Sequence, residues 1–123
     1  MEKDQALAAL SALANDARLT LVRLLMPQGA TGMAAGDISR ALGLSASRLS
    51  FHLAALEQAG LIRSRKQARH VFYSVDARGM GATIAFLLND CCMEHPEVVA
   101  CCRHGRSVAT PQVQPAASSP QES

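Results

Sequence analysis

Nowhere in the 123 residues is there a run approaching the roughly eighteen apolar positions that a helix needs to cross a bilayer, and no apolar stretch follows a basic start at the N-terminus. Neither a membrane span nor a secretory leader is expected, so the chain reads as cytoplasmic, with no membrane partner. Cysteine is absent before residue 91. All four cysteines fall between Cys91 and Cys102 as two adjacent pairs, and two bridges there would staple almost no chain. That argues against a disulfide scaffold and for reduced thiols. Acidic residues are nearly missing from Ile38 to Val75, where Glu57 alone faces Arg40, Arg48, Arg63, Arg65, Lys66 and Arg69. The formal charge of the whole chain is only +2, so the cationic character is local, and that segment is the electrostatic footprint to explain.

With 49% hydrophobic residues, the chain can bury the core of one ordinary domain and leave a tail. Ala6, Leu7, Leu10 and Leu13 recur at helical spacing and predict a first helix from about Lys3 to Ala14. Asn15 then caps a second helix, which buries Leu21, Leu24 and Leu25 and stops at Pro27 and Gly29. Residues 28–36 read as a loop. A third helix, about Ala35 to Leu42, buries Ile38, Ala41 and Leu42, and Gly43 ends it in the left-handed conformation. Ser45 caps the fourth, where Leu49, Leu53 and Leu56 share one face and Gly60 closes. Two helices joined by so short a glycine turn, Asp37 to Gly60, make a helix-turn-helix. Leu61–Arg65 and Arg69–Val75 then read as a hairpin with a basic tip, although its turn lacks glycine. Asp76 caps a fifth helix carrying Met80, Ile84, Leu87 and Leu88 along one side to about Cys92. Pro96 bars its simple continuation and opens a short separate turn to Cys102. The fold class is therefore mainly α with a β-hairpin, a winged helix-turn-helix of four helices, two strands and a fifth helix. Three segments follow: 1–92 as the folded domain, 93–106 carrying the cysteines, and 107–123 as a tail too poor in apolar surface to order itself.

On the fourth helix the side away from the leucines presents Ser47, Phe51 and Gln58, flanked by Arg48 and Ser50. Ser45, Ser47, Arg48, Ser50, Phe51 and His52 are the candidate DNA contacts: arginine donates to guanine, serines meet phosphates or base edges, and a phenylalanine ring lies against a thymine methyl. His52 sits nearer the leucine side, which also suits a packed, hydrogen-bonded histidine. Phe51 could equally pack under the hairpin. Arg63, Arg65, Lys66 and Arg69, without an acidic partner, are the backbone contacts expected of the hairpin.

Together, Leu13-Ala14-Asn15-Asp16-Ala17-Arg18-Leu19, Arg23-Leu24-Leu25, Gly36-Asp37-Ile38, Leu42-Gly43-Leu44-Ser45, Ser50-Phe51-His52-Leu53, Leu56 and Ala59-Gly60-Leu61-Ile62 resemble the ArsR/SmtB winged-helix repressors over about residues 5 to 92. The resemblance implies a homodimer joined by the first and fifth helices, binding a twofold operator on double-stranded DNA in the absence of inducer. It also directs attention to what is missing. Many relatives carry a Cys-x-Cys pair leading into the third helix, where this chain has Ala34 and Gly36. Others build a zinc site from Asp and His along the fifth helix, which here contains no histidine.

Cys91, Cys92, Cys101 and Cys102 are then the candidate inducer ligands. A soft, thiophilic ion suits them. The arrangement looks like that of arsenic repressors in this family whose site lies just after the dimer helix, which implies As(III) or Sb(III) held by three thiolates. Cys91 and Cys92 stand about 100° apart on a regular helix, so joint ligation requires the helix end to unwind. Zinc or cadmium on four thiolates, and a redox or persulfide switch between the pairs, are the alternatives. His95, His104, Arg103 and Arg106 could lower thiol pKa values in the redox case. No enzyme is expected, because His95 and His104 lie beside the thiols without a third orienting group.

Overall fold

The computed structural model describes residues 1–109. It divides into two compact units, one of Met1–Ile84 and a second beginning at Ala85. The first unit opens with α1 (Lys3–Leu13) and α2 (Asp16–Leu25), followed by a 3-10 stretch over Met26–Thr31 kinked at Gly29. Then come β1 (Met33–Ala34), α3 (Ala35–Leu42), α4 (Ala46–Gln58), β2 (Ile62–Gln67), β3 (His70–Val75) and α5 (Ala77–Ala85). This is the winged helix-turn-helix that the periodicity predicts.

The caps are those expected. Asn15 accepts the Arg18 amide proton through its side chain, Ser45 does the same for Arg48, and Gly43 closes α3 at φ 67°. Asp76 Oδ1 accepts from the amides of Arg78 and Gly79, each at 3.1 Å, and starts α5. The core joins Leu21 and Leu25 of α2, Ile38 of α3, Leu49, Leu53 and Leu56 of α4, and Leu61 and Ile62 at the root of the hairpin. Each such side chain contributes about 1.5–3 kcal/mol by leaving water. Because the three leucines of α4 all point inward, its opposite face is left to solvent.

Some faces differ from expectation. On α1 the buried residues are Ala6, Ala9 and Ala12, while Leu7 is 56% exposed. Small side chains let α1 lie close to the bundle, and that outweighs the larger apolar area of Leu7. Likewise Val22 rather than Leu24 is fully buried on α2, Ala41 of α3 is exposed, and on α5 Thr83 is buried while Ile84 is 45% exposed. The hairpin gains a third strand. β1 pairs antiparallel with β3, Met33 opposite Tyr73 and Ala34 opposite Phe72, giving the order β1-β3-β2. Gly32 makes this approach possible, since a Cβ there would stand 2.2 Å from the Tyr73 carbonyl oxygen.

In the second unit a π-helical stretch, Phe86–Cys91, precedes a reversal at Met93 and Glu94, both at positive φ. The turn expected after Pro96 is instead a full helix, α6 (Pro96–Ala109). Proline at its first position loses no hydrogen bond, so the helix starts there and runs on. The tail expected from residue 107 begins inside α6, and residues 110–123 lie outside the described part of the chain.

Candidate DNA-reading face and cysteine segment

α4 presents its candidates as a contiguous surface. Ser45, Ser47, Arg48 and Ser50 are exposed, and Phe51 is 66% exposed, so the ring does not pack under the hairpin. A large apolar ring held open to water beside a serine- and arginine-rich helix start suits contact with the apolar edge of a base. Ser45 Oγ is partly committed, capping Arg48 N at 3.3 Å and lying 3.4 Å from Ser47 Oγ. His52 is half-buried and meets the Phe51 ring edge-on, centroids 5.6 Å apart. The hydrogen-bonded histidine expected from the helical wheel is not realised: its buried Nδ1 has no partner among the described residues. Burial, and then the charges of Arg18 and Arg48, hold its pKa below the ordinary 6.5.

On the hairpin, Arg63, Arg65, Lys66 and Arg69 are all exposed. Arg65 differs from the other three. Its Nη2 donates to the Thr31 carbonyl at 3.0 Å, Nη1 reaches Gln67 Oε1 at 3.3 Å, and the guanidinium stacks 5.0 Å from the Phe72 centroid. Arg65 thus ties the hairpin to the stretch that follows α2, while Arg63, Lys66 and Arg69 form no side-chain hydrogen bond among the described residues. At the hairpin root, Ser64 donates to Glu57 Oε2 at 2.8 Å, occupying the one acid of the segment. The composition of the segment does not disclose Arg18 of α2, whose guanidinium lies 5.9 Å from the Phe51 centroid. The available signal is a lone arginine in the first turn of a helix, where the dipole disfavours a cation.

The cysteine segment is a separate matter, within the second unit. The π-helical stretch ends at the first cysteine pair: Cys92, next to Cys91, leaves helical geometry at φ −103°, ψ 2°. The backbone turns back here through Cys92 N–H to Leu87 O at 2.9 Å and Glu94 N–H to Leu88 O at 2.6 Å. Helical geometry therefore gives out at Cys92. Burial first, and then the neighbouring Cys91, push the Cys92 thiol upward. Cys101 and Cys102 sit exposed on α6, and all four cysteines are free thiols. Among the described residues no three Cys, His, Asp or Glu side chains converge in metal-binding geometry, so the two pairs are not assembled into one site.

The helix-turn-helix domain family matches residues 13–65. The transcriptional regulator YgaV of Escherichia coli K12 is 40% identical over 89 residues, covering 72% of this chain and 88% of that protein. The structure of HlyU from Vibrio cholerae is 37% identical with a TM-score of 0.58, covering 75% of this chain and 99% of that one. A homodimeric winged helix-turn-helix domain from Mycobacterium bovis, a possible ArsR-family regulator, is 27% identical with a TM-score of 0.57 over 75% of this chain and 85% of its own. A possible transcriptional regulator for arsenical resistance is 31% identical with a TM-score of 0.57, covering 63% and 77%. No helix among the described residues is long and apolar enough to cross a membrane. With the reading helix, the basic wing and these relatives in agreement, the chain belongs to the ArsR-type winged helix-turn-helix transcriptional regulators.

Proposed function

We propose that the protein is a metalloid-responsive repressor: a homodimer, joined through α1 and α5, that binds a twofold operator through α4 and the hairpin and leaves it when trivalent arsenic or antimony binds its cysteines. Residues 1–92 form the DNA-binding and dimerisation domain, and 93–106 the inducer segment. The observation that carries this reading is the adjacent Cys91–Cys92 pair, free thiols placed at a helix end already departing from helical geometry. The similarity to a possible transcriptional regulator for arsenical resistance, and to a homodimeric neighbour, supports it.

Arsenite exchanges each hydroxyl for a thiolate, so three thiols and one As(OH)3 give one pyramidal AsS3 centre and three waters. Cys91 and Cys92 supply two of the sulfurs, and Cys101 or Cys102 the third. Since α6 holds the second pair away from the first, capture of the third sulfur has to rearrange the reversal at Met93 and Glu94 or the first turns of α6. That movement is the source of the signal. A coupling of about 1–3 kcal/mol would weaken operator binding roughly 5- to 150-fold.

The test is to titrate DNA-bound protein with arsenite, zinc and a disulfide-forming oxidant while following fluorescence anisotropy. Release at the lowest dose with arsenite is expected. Release by oxidant alone would replace the metalloid reading with a thiol switch, and release by zinc at the lowest dose would assign a zinc or cadmium sensor. Cys91→Ser and Cys92→Ser should bind DNA as the wild type does and lose the response. Loss of DNA binding itself would make the pair structural. X-ray absorption should count three sulfurs around arsenic.

A further inference from the structure

Arg18 stands outside both the helix-turn-helix and the wing. Its amide is bound by the Asn15 cap, so it lies in the first turn of α2, the end of a helix at which the backbone dipole repels a cation. Arg18 lines a crevice together with Ala8, Ser11 and Ala12 of α1 and Ala55, Gln58 and Ala59 of α4, with no acid among them. Asp16, two residues earlier, lines a different cavity with Thr20, Leu42 and Leu44. The single ion pair among the described residues is Arg40 with Asp37. The Nε of Arg18 is buried and has no hydrogen-bond partner among the described residues. The guanidinium emerges beside the Phe51 ring, on the face where Arg48, Phe51 and His52 line one shallow pocket with Ser47.

A guanidinium whose stem is packed, whose charge is unbalanced and whose head is delivered to the reading face is set for an anion from outside the chain. Phosphates flank every base edge that a helix reads from the major groove. We infer that Arg18 is a phosphate-binding residue, reaching from α2 to hold, with Arg48, an operator phosphate beside Phe51. The inference rests on the reading of α4 as the DNA-contacting helix. It adds a contact from a helix to which no DNA role has been given, and it gives the stacked Phe51 ring a fixed place between a base and the backbone.

Phosphate contacts are independent of sequence, so a random-sequence duplex serves as the probe. Its binding is measured against salt concentration for wild type, Arg18→Gln and Arg18→Lys, with melting temperatures taken in parallel. Removing one phosphate-binding arginine from each protomer of a dimer should make the Arg18→Gln slope shallower by roughly 1.8, closing the gap to wild type by roughly tenfold between 50 and 200 mM salt. Arg18→Lys should keep the wild-type slope while losing part of the affinity, because an ammonium lacks the planar fork. The melting temperature of Arg18→Gln should be unchanged or higher, since a cation has left the wrong end of a helix. An unchanged slope with uniformly weaker binding, or a large drop in melting temperature, overturns the inference and makes Arg18 a packing residue. A wild type that binds no duplex at any salt overturns the DNA reading as well.

Discussion

Gly79 has no room for a side chain. A Cβ there would stand 1.7 Å from the Gly60 carbonyl oxygen and 2.9 Å from its carbon, so the start of α5 and the end of α4 meet backbone to backbone. Backbone cannot swing aside as a side-chain tip can. Gly79→Ala is expected to cost about 2 kcal/mol, or roughly 8 °C of melting temperature, by forcing the two segments apart. Gly81, two residues further on, meets nothing within 4 Å, and Gly81→Ala should instead stabilise by about 0.5–1 kcal/mol through helix propensity. Calorimetry of the pair checks both, and equal losses would contradict the close approach. His52 gives a pH prediction. Above its ordinary pKa of 6.5 the imidazole is neutral folded and unfolded and adds no pH dependence; below it the unfolded chain takes the proton more readily than the folded one, whose value burial, Arg18 and Arg48 depress. Stability is therefore lost as pH falls from 6.5 toward the lowered native value. His52→Gln should flatten that limb in urea unfolding from about pH 7 to 5, and an equally steep limb would assign it to other groups.

The hairpin shows how a contact between elements decides what a single strand cannot. β2 and β3 pair from Ile62 opposite Val75 to Gln67 opposite His70, which leaves Ala68 and Arg69 as a two-residue turn with Ala68 at φ 57°. An L-residue there is strained, and glycine relieves the strain at some cost in chain entropy. Ala68→Gly should stabilise the domain by about 0.5 kcal/mol, and a loss of stability in denaturant titration would place the left-handed residue elsewhere. The strand-favouring stretches Leu61–Arg65 and Arg69–Val75 exposed this pairing in the sequence, as Leu49, Leu53 and Leu56 exposed α4, because both signals are local. β1 was not legible: Met33–Ala34 is too short for any period, and its partner lies some forty residues on. The buried face of α1 escaped for another reason, since Ala6, Ala9 and Ala12 bury little area each and are chosen by how closely the helix can approach. At the reading face the residue types on α4 were evident, whereas the tethering of Arg65 to Thr31 and the reach of Arg18 to Phe51 depend on chain brought together from outside the motif.

On the proposed function, two copies of α4 read a twofold operator, so the whole molecule would act only if the protomers hold each other at the right spacing. The first unit offers apolar surface for this on the two helices assigned to the interface: Leu7 of α1 is 56% exposed and Ile84 of α5 is 45% exposed. α1 and α5 also flank a single open depression of about 570 Å³ bordered by Asp4, Gln5, Ala8, Arg78 and Ala82. None of the residues that pack the core between α2 and α4 depends on Leu7 or Ile84, so a charge at either position spares the fold of the protomer while opposing association. Leu7→Glu and Ile84→Glu should sediment as monomers at concentrations where the wild type is a dimer, with unchanged helix content. Linking two reading heads raises affinity by about 10²- to 10⁴-fold over either alone, so operator binding by these variants should fall by at least about 100-fold. The two outcomes have to move together. A variant that stays dimeric moves the interface off these helices, and a monomer that keeps wild-type affinity removes the dimer from the mechanism by which the cysteine segment could act on DNA.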